Sequence, residues 1–180
     1  NLTFEVMNNA FMEFHGILGW NYLKNIDFTI DYKNKVLIIR RPELRPDAVQ
    51  NMFWLGTPII KLYSANGLEL NFAFDTGDQV SNFFDLLIQK TNPPKMESDF
   101  RRSFGVGSVR LIEIKRIPEL SLYFDKYEIQ ISNFESGFEM PGSIICLDGR
   151  LGSDFILNAR IRIDALNNNI EYYKYDLYER

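Results

Sequence analysis

The stretch "NFAFDTGDQVSNFF", residues 71–84, leads an apolar run into Asp75, Thr76 and Gly77. A carboxylate at the mouth of a core strand is a candidate acid–base group. The strand brings it to the end of an apolar run, and the chain then turns on a glycine. Other groups carry weaker signals. Gly105-Val106-Gly107 is a poor phosphate loop, because no Lys-Ser/Thr follows and no helix begins there. Cys146 in "SIICL" reads as a small buried hydrophobe, and His15 as a loop or surface residue. Asp31 and Asp164 stand at strand ends before turns, where aspartate bonds the local backbone. Asp148 and Asp154 flank a Gly-Arg-Leu-Gly turn, and Asp154 suits a helix cap. No spacing of carboxylates singles out a glycosidase pair.

Composition narrows the classes. The 180 residues are 46% hydrophobic, enough for one domain or a domain with a fragment of another. Twenty basic and 24 acidic residues are interspersed, with no Lys/Arg cluster to form a nucleic-acid footprint. The apolar runs are too short for a membrane span. One cysteine and one histidine exclude a Cys/His zinc site and an intrachain disulfide, and no cofactor or metal is expected. The chain starts at Asn1 without a methionine, which slightly favours an exported, periplasmic or secreted protein.

The elements that must position Asp75 are legible through an internal repeat. Residues 14–37 and 147–170 align without a gap at an offset of 133, with seven identities in 24 positions. These are Gly16/Gly149, Leu18/Leu151, Gly19/Gly152, Asn25/Asn158, Ile30/Ile163, Asp31/Asp164 and Asn34/Asn167. Each copy predicts a Gly-x-Leu-Gly turn, a two-turn helix (20–25; 153–158) and a hairpin of two strands. The counterpart of Asp75 would lie well upstream of Asn1. Residues 1–40 therefore read as the tail of a first lobe, 41–56 as a connector, and 57–180 as a complete second lobe. Within 57–180, Asn66-Gly67 predicts a hairpin turn. Phe83 to Ile88 suit a short buried helix, and "RIPEL" (116–120) suits a loop between strands. The fold class expected is all-β: mainly strands, with short helices.

"FAFDTG" (72–77), Ser81 and "GRLGSDFIL" (149–157), within a duplicated lobe, resemble the retropepsin-like aspartyl proteases. The resemblance covers 57–175, and "GILGWNYL" (16–23) resembles the family's second motif again. It implies a catalytic role for Asp75, a bracing hydroxyl on Thr76 and a tight turn at Gly77. It places Asp78, Ser81, Arg150, Leu151 and Gly152 at the substrate cleft, with Leu151 and Gly152 lying under the Asp75 turn, and makes a peptide or protein the substrate. The mechanism uses two aspartates sharing a proton around one water, and only one Asp-Thr-Gly is present. The second would come from a preceding lobe, favoured by the offset, or from a homodimer partner.

Two positions depart from the family. The residue after Gly77 is small there and is Asp78 here; the residue before Leu151 is apolar there and is Arg150 here. An Asp78–Arg150 ion pair across the site floor is one expectation, and two solvated side chains the other. A protease-like lobe retained as a peptide-binding or assembly module stands as the alternative to a working peptidase. The family's flap is expected from about 105–120, with Arg116–Pro118 at a tip that lacks glycine.

Overall fold

The computed structural model describes residues 19–93, 95–105, 108–136 and 146–175. His15 and the first-copy residues Gly16, Ile17 and Leu18 lie outside them. A one-turn helix α1 (Trp20–Leu23) precedes the hairpin of β1 (Asp27–Asp31) and β2 (Val36–Arg40). Then come β3 (Met52–Trp54), β4 (Pro58–Ser64), β5 (Glu69–Phe74), β6 (Asn82–Phe83) and helix α2 (Asp85–Thr91). The strands β7 (Glu97–Gly105), β8 (Ser108–Phe124), β9 (Tyr127–Ser136) and β10 (Gly149–Leu151) complete the larger sheet. A 3-10 turn (Ser153–Ile156) leads to β11 (Ala159–Asp164), a second 3-10 turn (Ala165–Asn167) and β12 (Asn169–Lys174). The chain is mainly β, as its alternating apolar pattern predicts. Among the described residues no helix is long and apolar enough to cross a membrane.

The larger sheet runs β3-β4-β5-β10-β6-β9-β8-β7, and an extra β4–β8 pairing closes six of its strands into a ring. Phe72, Phe74, Phe83, Leu151 and Phe134 fill the interior without exposure. Short β10 lies parallel to β5 on one side and antiparallel to β6 on the other. A Cβ on Gly149 would come within 2.3 Å of the Asn82 carbonyl oxygen, so only glycine lets these three strands meet.

The structure corrects three local expectations. The helix starts at Asp85, because Phe83 joins β6 and the Phe84 N–H is spent on the Asp148 carbonyl at 2.9 Å. The expected loop at 116–120 is unbroken β8. Its ladder to β7 ends at Arg116 and its register with β9 passes over Pro118, so the missing N–H leaves no gap. The turn falls at Asp125–Lys126 instead, with Asp125 at φ 53°. The tip of the β7–β8 hairpin therefore lies between Gly105 and Ser108, not at Arg116–Pro118.

The smaller sheet, β12-β11-β1-β2, carries the repeat. At its centre Thr29 faces Arg162, two residues 133 apart, so the sheet has a local twofold axis at that pair. The hairpin registers obey the same offset: Phe28 faces Ile39, and Ile161 faces Tyr172. Both turns end on a left-handed residue, Lys35 at φ 55° and its counterpart Asn168 at φ 50°. Asp31 accepts from the Asn34 N–H and side chain at 3.0 Å each, and Asp164 accepts from Asn167 in the same way. The two aspartates thus hold their turns, as strand-end aspartates are expected to.

One face of this sheet is apolar: Phe28, Ile161, Ile163, Ile170 and Tyr172 on it are buried by the barrel. The other face is a charge network. Arg162 grips Asp27 at 2.6 and 2.9 Å, and Arg45 reaches Asp164 at 2.8 Å and Glu171 at 2.9 Å. Arg45 shows that the connector is fastened rather than loose. Asn167 accepts its N–H, and Asn169 donates to the Val49 carbonyl. In the same segment Met52 is buried and Trp54 packs edge-on to Trp20, as an apolar "MFWL" requires.

Candidate active site

Strand β5 delivers Asp75 because Phe72 and Phe74 are anchored in the core, which fixes the residue that follows. The Asp75 N–H extends the β5–β10 ladder to the Leu151 carbonyl at 2.9 Å, and the chain then turns, with Asp78 N–H on the Asp75 carbonyl at 3.2 Å. Inside the turn the Gly77 N–H donates to Asp75 Oδ1 at 3.0 Å. A Cβ on Gly77 would stand 3.1 Å from that oxygen, tighter than ordinary contact, so the glycine permits the approach. Asp75 is half-buried, its carboxylate held by a main-chain donor at a bend. Half-buried Thr76 has no hydroxyl partner among the described residues.

Of the five residues expected along the cleft, Asp78 and Arg150 reach solvent, and they meet. Arg150 Nη1 lies 2.5 Å from Asp78 Oδ2, with the two side chains 30% and 37% exposed. Leu151 and Gly152 are buried beneath the turn, as the resemblance implies, and Ser81, expected at the cleft, is buried there with them. They support it and offer no surface to a ligand. The Gly152 N–H donates to Ser81 Oγ at 3.0 Å, and the Ser153 N–H to the Asp78 carbonyl at 2.7 Å. A Cβ on Gly152 would fall 2.8–3.0 Å from backbone atoms of Val80 and Asp78, so the glycine lets this segment lie against the turn.

Asp154 is no helix cap, since Gly152 occupies that position without a side-chain bond. Its oxygens take the Ser81 hydroxyl at 2.6 Å and the Ser81 N–H at 2.9 Å, binding the 3-10 turn to the start of β6. Sequence reasoning had both residues, 73 apart, but nothing in their spacing joined them. Asp148, which the sequence set beside the Gly-Arg-Leu-Gly turn, is a fully buried carboxylate that accepts from Lys90 Nζ at 2.9 Å and the Asn71 N–H at 2.7 Å, partners that its position in the sequence did not suggest. Cys146 is exposed, not buried, because β10 starts only at Gly149 and the cysteine precedes the sheet.

Two grooves are described, and neither touches Asp75. One of about 430 Å³ lies between β4, the β8–β9 turn and β12; another of about 330 Å³ lies at the β1–β2 turn beside Tyr173 and Tyr175. No protein-family model matches the chain, and no curated protein matches it significantly.

Proposed function

We propose that the chain carries one half of an aspartic peptidase site, with Asp75 as one of two carboxylates that activate a water. The ionised carboxylate takes a proton as the water oxygen bonds to the scissile carbonyl carbon. The protonated partner stabilises the developing oxyanion, and a proton passes to the amine as the C–N bond breaks. The observation that carries this reading is the Gly77 N–H on Asp75 Oδ1, at a bend where the other oxygen is left for solvent or a ligand. The partner carboxylate is assigned to a second lobe. In its favour, Leu37 and Ile39 on the apolar face of β2 lie uncovered, opposite their buried counterparts Ile170 and Tyr172 across the twofold.

A non-catalytic, peptide-binding lobe is the second reading. The charged Asp78–Arg150 pair, where the family keeps small and apolar residues, and a Thr76 hydroxyl without a partner among the described residues favour it. Cleavage of an unfolded protein at acid pH by the full-length protein, beside Asp75→Asn, separates the two. A peptidase loses at least about a thousandfold in rate. Equal rates leave the peptidase reading without support.

A further inference from the structure

We propose that Arg150 is a positioning residue for the Asp75 turn, acting through Asp78; this rests on the peptidase reading of that turn. Asp78 belongs to the turn itself, with its N–H on the Asp75 carbonyl and its carbonyl on the Ser153 N–H. Its side chain leaves the turn to reach Arg150 Nη1 at 2.5 Å. Arg150 sits on β10 between the neutral residues Ala73 of β5 and Asn82 of β6. Asp78 is its one ionic partner among the described residues. The latch therefore ties the turn to the strand that also accepts the Asp75 N–H.

The pair also sets the charge of the turn. Among the described residues, the ionisable groups bonded to the turn or its support are Asp75 and Asp78 in the turn, Arg150 from β10 and Asp154 from the 3-10 turn. Asp154 is committed to the Ser81 N–H and hydroxyl. Without the guanidinium, the turn would hold Asp75 beside a second, uncompensated carboxylate. A like charge in the same turn is unfavourable unless a cation compensates it. Arg150 thus makes an aspartate tolerable at a position where a small residue would need no partner.

The test compares Arg150→Met, Arg150→Lys, Asp78→Ala and the Asp78→Ala/Arg150→Met double variant in the full-length protein. Two readouts are taken: the pH profile of kcat/KM, and amide exchange at Gly77. In Arg150→Met the acid limb moves up by about one pH unit, and the Gly77 amide exchanges faster by about tenfold or more. The double variant returns the limb to the wild-type position, and Arg150→Lys stays near it. A uniform loss of rate with an unmoved limb, or a double variant no better than Arg150→Met, overturns the proposal. If wild type cleaves nothing, the peptidase reading fails by itself and Gly77 exchange decides. Faster exchange in Arg150→Met upholds the latch; unchanged exchange removes it.

Discussion

The hairpins β1–β2 and β11–β12 share register, turn conformation and the Asp-to-Asn turn bond, yet their environments are opposite. Ile170 is 1% exposed and Tyr172 7%, while their counterparts Leu37 and Ile39 are 49% and 55% exposed. Hairpin geometry is thus local, written in the Asp31–Asn34 and Asp164–Asn167 turns and the alternating strands. Burial is not local. It comes from the barrel of 52–156, which covers one half of the apolar face. The glycines before each hairpin tell the same story: Gly152 is crowded by the backbone of Val80 and Asp78, whereas Gly19 has nothing within 4 Å of an added Cβ.

Substitutions at paired positions can break this comparison. The largest contrast is expected for Ile170→Ala against Leu37→Ala. The first empties a buried site and costs about 3 kcal/mol, and the second stays within about 0.5 kcal/mol. Urea unfolding checks it, and similar losses would mean that the two faces are packed alike. Next, Gly152→Ala forces the turn and its support apart, costing about 2 kcal/mol, while Gly19→Ala is nearly silent. Thermal melts of both variants suffice.

The smallest effect concerns the charged face and pH. Burial pushes the Glu171 carboxyl up, but bonds from Tyr173 and Arg45, with Arg162 nearby, outweigh it and hold the group below the usual range. Burial likewise raises Asp31, and the Tyr175 hydroxyl at 2.5 Å with Asn34 more than reverses it. Carboxylates depressed in the fold stabilise it above their ordinary values and lose that contribution as pH falls through the folded values. Stability is therefore expected to decline below about pH 4, by under about 1 kcal/mol for each group. Arg45→Met and Tyr175→Phe should each shrink the decline. An unfolding midpoint that is flat from pH 6 to 3 would contradict this account of the network.

Much of this was legible in the residues. Seven ungapped identities located both hairpins, and Asn66-Gly67 marked a turn that the structure places there, with Gly67 at φ 80°. The apolar run before Asp75 gave β5, and the departures at Asp78 and Arg150 left an ion pair or two solvated side chains open, of which the structure shows the pair, at 2.5 Å. What stayed hidden depends on contacts between distant segments. Pro118 reads as a strand breaker until its neighbours are known to need no N–H there. The resemblance set Leu151 and Gly152 under the turn, but it put Ser81 at the cleft, and only packing reveals that residue as part of the underside. Arg45 looks like part of a loose connector until Asp164, Asn167 and Glu171 are assembled beneath it.

The central proposal is that β2, with Leu37 and Ile39 exposed, is the bare edge of a platform for a second lobe that brings a carboxylate to Asp75. Thiol alkylation of Ile39→Cys, timed against the exposed native Cys146, tests it directly. In the 180-residue chain the two thiols should react alike. In the native gene product Cys146 should keep its rate while the introduced thiol is protected by tenfold or more, for an apolar face buried in a stable interface. Equal labelling of both sites in the native product would contradict the claim.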